Sequence, residues 1–256
     1  MKIVQIPLLS DNYGYLVVCE KTNKAGIVDP SEGEPVWRRV QQEGVELIAI
    51  LNTHHHRDHT GGNEYLLQQK PELEVFGARV DEDRIPGITH PLVEGDEVQV
   101  GEERGTVLFI PGHTRGHIAF VFPGRLFSGD ALFAGGCGRV FEGTPEQMTS
   151  SLGKLRGLSG ETLVYCGHEY TEKNLQFALT VEPNNEKIRN RLAAVKELRA
   201  RDQFTVPSRL GDELETNPFL RWESDEIKAG LSERFPGVGT DPVSVFAKVR
   251  ELKDVY

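Results

Sequence analysis

Through the first two-thirds of the chain, hydrophobic residues come in short runs broken by Gly, Pro and Asp. MKIVQI (1–6), YLVVC (15–19) and AGIVD (25–29) predict strands, with turns at Ser10-Asp11-Asn12 and Thr22-Asn23-Lys24. A helix is predicted over 35–43, with Pro35 at its start and Gly44 just past its end. LIAILNT (47–53) is a continuous apolar run and predicts a buried strand. TVLFIPG (106–112) and IAFVF (118–122) predict two more. GRLFSGD (124–130) and ETLVYCG (161–167) share one pattern, an apolar run closed by Gly and followed by a metal-capable residue. Between them, 144–156 reads as a helix with Thr144 as N-cap and Pro145 at the first helical position.

The pattern changes after residue 171. Segments 172–182, 184–201, 223–234 and 242–253 carry helical spacing, Lys and Arg become denser, and β-branched runs disappear. No fixed-period repeat or low-complexity segment is present. The expected division is a mixed α/β domain over 1–171 and an all-helical domain over 172–256.

Length and composition bound the function. A chain of 256 residues can bury roughly 75% of its unfolded surface, so its core needs no disulfides. The net charge of −10 argues against nucleic acid or an anionic membrane as the main partner. Cys19, Cys137 and Cys166 are odd in number and far apart, which fits a reducing cytoplasm rather than a disulfide framework. Neither a signal peptide nor a membrane span is read from the sequence.

The chemistry concentrates in THHHRDH (53–59), which holds four of the eight histidines and directly follows the predicted strand 47–53. A surface or core role accounts poorly for such density. His54 and His56 can point to one centre, and Asp58 and His59 offer an oxygen and a nitrogen to a second. His113 in IPGHTRGH, Asp130 in FSGDALF and His168 in YCGHEYT each sit just past an apolar run. Strand-end loops are where a sheet gathers ligands distant in sequence. Five imidazoles and two carboxylates without thiolates suit zinc, iron or manganese, and disfavour a structural cysteine-rich site. His55 and His117 are read as supporting or structural, His90 as a loop residue and Cys166 as core.

THHHRDH matches the T-H-x-H-x-D-H signature of the metallo-β-lactamase fold, and the later GH, GD and GH positions follow in that superfamily's order. The resemblance implies a four-layer αβ/βα sandwich with two divalent metal ions, zinc first, with iron or manganese also compatible. It implies that His54, His56 and His113 bind one ion, that Asp58, His59 and His168 bind the other, and that Asp130 bridges both. SDNYGYLV (10–17), FAGGCGRVFEGT (133–144), YCGHEYTEKNLQFA (165–178), NPFLR (217–221) and DPVSVFAKVRELKD (241–254) resemble glyoxalase II, the hydroxyacylglutathione hydrolases. That likeness spans nearly the whole chain.

The resemblance implies hydrolysis of the thioester S-D-lactoylglutathione to D-lactate and glutathione, as in methylglyoxal detoxification. The glutathione contacts it implies fall on Arg139, Tyr170, Arg250 and Lys253. Arg250 and Lys253 are three apart on a predicted helix and share a face, so they could hold a glycine carboxylate. Arg139 stands where many members have Lys, and Phe141 where some have Tyr. Among the ligands, Asp58 and Asp130 bear most directly on the reaction, in which a metal-bridging hydroxide attacks the thioester carbonyl. The chain is expected to be a cytoplasmic monomer. A persulfide dioxygenase of the same superfamily is the enzyme rival; a metal-storage or sensing protein is the non-enzyme one. Seven ligands for two ions leave open coordination positions, which favours catalysis.

Overall fold

The apolar alternation at the start of the chain becomes a hairpin. β1 (Lys2–Leu8) pairs antiparallel with β2 (Asn12–Cys19), and β2 with β3 (Lys24–Val28). α1 (Gly33–Glu43) then ends at Gly44, whose φ of 64° is the left-handed closure glycine allows. β4 (Glu46–Leu51) returns parallel to β3. α2 (Arg57–Thr60) and α3 (Asn63–Gln69) lead to β5 (Glu74–Ala78) and β6 (His90–Leu92), both added in parallel. The sheet order is β1-β2-β3-β4-β5-β6. Every residue of β2 is buried, as its unbroken apolar run requires, because both faces of the sheet are covered. One face packs on the helices through Val36, Val40 and Leu66. β7 (Glu97–Val100), β8 (Glu103–Phe109), β9 (Ile118–Phe122) and β10 (Arg125–Gly129) form an antiparallel meander. These elements make one compact unit, Met1–Phe109 with Thr114–Gly129, in the computed structural model, which describes residues 1–256.

The second unit comprises Ile110–His113 and Asp130–Tyr256. It opens with a small hairpin, β11 (Leu132–Phe133) and β12 (Gly136–Cys137). α4 (Pro145–Arg156) starts in a full capping box, in which Thr144 and Gln147 satisfy each other's backbone N–H groups. β13 (Leu163–Cys166) is followed by α5 (Thr171–Val181) and α6 (Glu186–Arg199). Leu175, Ala178, Ile188, Leu192 and Val195 form the core between this helix pair. β14 (Ser208–Arg209) pairs antiparallel with β13 and runs into α7 (Leu210–Thr216); α8 (Asp225–Arg234) and α9 (Pro242–Asp254) complete the unit. Asn185, Ser224 and Asp241 cap α6, α8 and α9 through their side chains. Fully buried Glu213 ties α7 to the hairpin by accepting from the Gly135 N–H at 2.7 Å, with Arg191 as its counter-ion.

The expected helices are present, each within a residue or two of its predicted bounds. The strands are where the apolar runs lie, with shifted ends: β4 stops at Leu51, because Asn52 and Thr53 turn toward other partners. Two features depart from the sequence reading. His90 begins β6, stacked on Phe76 at 4.5 Å, rather than lying in a loop. The C-terminal region is not wholly helical, since β14 supplies a strand. No helix is long and apolar enough to cross a membrane.

Candidate metal centre

The parallel strands β3 and β4 end side by side, and their next residues build the first half of the site. Asp29, just past β3, is 2% exposed. Its Oδ1 accepts from the Thr53 N–H at 2.8 Å, and its Oδ2 from the Thr53 hydroxyl at 2.7 Å. The same Oδ2 meets His59 Nδ1 at 3.0 Å. This fixes the imidazole with Nδ1 as donor and makes Nε2 the nitrogen with which His59 could coordinate an ion. The chain leaves β4 through Asn52, Thr53 and His54 and enters α2 with His56 as its N-cap residue, so Asp58 and His59 sit in the first turn. His54 Nε2 and His56 Nδ1 face each other at 3.1 Å. The His54 and His59 rings lie 4.2 Å apart, and His59 Nε2 is 3.8 Å from Asp58 Oδ2.

Supporting groups surround this loop. Asn52 Nδ2 donates to the His59 carbonyl at 3.1 Å. Asn12 Nδ2 donates to the Asp58 carbonyl at 3.0 Å and to its Oδ2 at 3.3 Å, and the Ser31 hydroxyl reaches the same carbonyl. His55 turns away to Asp81 at 3.2 Å; that buried carboxylate also takes Arg84 at 2.6 Å. His117 stacks on His54 at 4.7 Å. Both histidines therefore support the loop, as the sequence suggested. Asp29, Asp81, Asn12 and Arg84 were not singled out beforehand. Asp29 carries the same signal as Asp130, an acid closing an apolar run.

The second half gathers three donors. His113 Nδ1 is held by the Arg139 carbonyl at 2.8 Å, which leaves Nε2 facing Asp130 Oδ2 at 3.6 Å. His168 Nε2 reaches the same oxygen at 3.3 Å. The His168 ring lies parallel to Tyr170, 4.7 Å away, and Phe133 abuts both rings edge-on. Gly138 has to be glycine here, because a Cβ would come within 2.0 Å of the Asp130 carbonyl. Gly129 has φ of 48°, and a Cβ there would strike Thr53 Oγ1 at 2.3 Å.

Three donor sets have ligand atoms within 4.8 Å of one another: His54, His56 and His113; Asp58, His59 and His168; and His54, His59 and Asp130. Every member is buried except His56 and Asp58, which are partly so. Nitrogen and oxygen donors in such density, without a thiolate, fit divalent ions. The cysteines are free thiols, and burial pushes the Cys166 thiol up to about 12, so it is core.

The expected glutathione contacts lie in the second unit. Arg250 is buried on α9, with its guanidinium 5.0 Å above Phe219. It donates Nη1–H to the Cys137 carbonyl at 2.9 Å, and Nε–H to Asp254 Oδ1 at 3.1 Å. Lys253 Nζ sits 5.0 Å from both the Phe177 and Tyr256 rings. Burial, with Arg250 and Lys173 nearby, pushes its ammonium down to about 8. The exposed Arg139 side chain has its Nε 3.6 Å from Asp254. Phe141 is 60% exposed, with its ring 5.2 Å from His113.

Fold and donors together are those of the metallo-β-lactamase superfamily, whose sequence pattern matches residues 11–168. Residues 169–256 match the hydroxyacylglutathione hydrolase C-terminus. A hydroxyacylglutathione hydrolase of Synechococcus sp. is 51% identical over 264 aligned positions, covering all of both chains. Among solved structures, ETHE1 from Myxococcus xanthus is 26% identical with a TM-score of 0.67, covering 98% of this chain and 99% of that one. TTHA1623 in a di-iron-bound form is 28% identical with a TM-score of 0.63, covering 86% and 100%. The chain belongs to the hydroxyacylglutathione hydrolase family.

Proposed function

We propose that the protein hydrolyses S-D-lactoylglutathione, and S-(2-hydroxyacyl)glutathiones generally, to the hydroxy acid and glutathione, a step of methylglyoxal detoxification. The observation that carries this reading is the end-to-end match: catalytic and C-terminal family patterns adjoin without a gap and share one full-length relative of that name. His54, His56 and His113 would hold one ion, Asp58, His59 and His168 the other, and Asp130 both. The donor sets support this, since the third links Asp130 to one histidine of each group. Zinc is the proposed ion; the same donors accept iron and manganese.

Bound there, divalent ions supply Lewis acidity and a water acidic enough to give hydroxide near neutral pH. The chain's own residues do the rest. Asp29 and the Arg139 carbonyl set the tautomers of His59 and His113. Asn12 fixes Asp58. Arg139, Tyr170, Arg250 and Lys253 would contact the glutathione, with Arg250 and Lys253 seating its glycine carboxylate. The thiolate leaves readily, so no dedicated acid is required. All seven donors and these contacts come from one chain, so the proposed working unit is the monomer; three free thiols suit a reducing cytoplasm. The proposed division of labour follows the sequence boundary, with catalysis in 1–171 and substrate binding in 172–256.

The test is steady-state loss of thioester absorbance with S-D-lactoylglutathione on metal-loaded protein. Fast turnover is expected. Its absence, with both ions bound, overturns the reading.

A further inference from the structure

Arg250 is expected to hold an anion, yet it already has one. Its side chain is only 8% exposed, and Asp254 Oδ1 accepts Nε–H at 3.1 Å and lies 3.0 Å from Nη2 as an ion pair. The Cys137 carbonyl takes Nη1–H, and Phe219 covers a face. These hydrogen bonds engage Nε and Nη1, with Cys137 Sγ also 3.8 Å from Nη1, so Nη2 is the end of the guanidinium with N–H groups to offer an anion. Asp254 Oδ1 also lies 3.6 Å from Nε of Arg139, which is otherwise an exposed arginine. One carboxylate oxygen therefore draws two cations together that would repel each other without it. Asp254 is also the last residue of α9, where the negative end of the helix dipole disfavours an acid. Its place there is accounted for by the guanidinium it serves.

The geometry points to Asp254 as a positioning residue of the substrate's carboxylate seat, fixing which edge of Arg250 faces the incoming anion and holding Arg139 beside it. This rests on the reading of Arg250 and Lys253 as that seat. It makes Asp254 a determinant of specificity for thioesters whose thiol carries a free carboxylate. A purely structural role, neutralising a buried guanidinium, would affect all substrates alike.

The experiment compares S-D-lactoylglutathione with the same thioester amidated at its glycine carboxylate, on wild type and on Asp254→Asn. Wild type is expected to prefer the acid. In the variant, KM for the acid should rise about tenfold, with the loss in KM ahead of kcat, while KM for the amide stays within about twofold. Equal effects on both esters would overturn the proposal, as would a lowered KM for the acid, which would make Asp254 a competitor of the substrate. A wild type that does not distinguish acid from amide would instead sink the carboxylate seat, and this inference with it. Should Asp254→Asn lose its melting transition, Asp254→Glu carries the test: it should keep part of the preference for the acid, and equal KM values for the two esters would overturn the proposal.

Discussion

Replacing Asp29 by Asn tests how the first half of the site is built. The side chain keeps its size, and Asn tolerates the φ of 50° that Asp29 adopts, so the backbone cost is small. One acceptor oxygen becomes an NH2 group. With the remaining oxygen on the Thr53 N–H, the amide faces the Thr53 hydroxyl and His59 Nδ1, both donors to Asp29 in the wild type. The hydroxyl can rotate. The imidazole can answer only by moving its proton to Nε2, which removes the lone pair an ion requires. Losing such a partner costs about 10–100-fold in metal affinity, or about 1.4–2.8 kcal/mol. The lost charge-assisted hydrogen bond adds about 1.5–3 kcal/mol of folding destabilisation. The assay is metal equivalents retained after dialysis against graded chelator, with a thermal melt alongside. One equivalent should be lost well before the other, because His59 serves one proposed ion. A variant holding both ions as tightly as wild type would refute the tautomer argument.

Asp130→Ala should abolish binding of two ions together, and activity with it; retention of two equivalents and normal turnover would remove the bridging assignment. Arg250→Ala should raise KM for the glutathione thioester by at least tenfold, about 1.4 kcal/mol, measured by initial rates; a fall in kcat alone would contradict the seat. Lys253, held down to about 8, loses its charge in the free enzyme as pH rises through that value. KM should therefore climb above about pH 8, and Lys253→Arg, which stays charged, should flatten that rise; identical profiles would remove Lys253 from the seat. Thr144→Ala should cost about 1 kcal/mol through the lost cap of α4, read as a modest fall in melting temperature without loss of bound metal.

The site was legible where chemistry is dense or follows a repeated pattern. THHHRDH stands out because four donors share one loop, and His113, Asp130 and His168 because each follows an apolar run and a glycine. Asp29 follows such a run too, but a single acid at a strand end reads first as a turn residue. Asp81 lies in the polar stretch RVDEDR, where no periodicity separates the buried acid from its exposed neighbours. In the fold, long apolar runs gave β2, β4 and β9. The three residues of β6 and the two of β14 are too short for any pattern, and only pairing with a neighbouring strand creates them. The shared face of Arg250 and Lys253 was readable from their spacing. The burial of Arg250 was not, because Phe219 and Cys137, which enclose it, come from distant segments.

Arg139 meets His113 through its backbone carbonyl, while its side chain lies near Asp254. Every amino acid brings that carbonyl, whatever its side chain. The orientation of His113 and the proposed grip on the glutathione end are thus vested in different atoms of one residue. Exchanging Arg for Lys, or for something shorter, can retune the ester the protein prefers while His113 keeps its tautomer. Position 139 is a place where such a catalyst can drift toward new thiol carriers without first risking its metals.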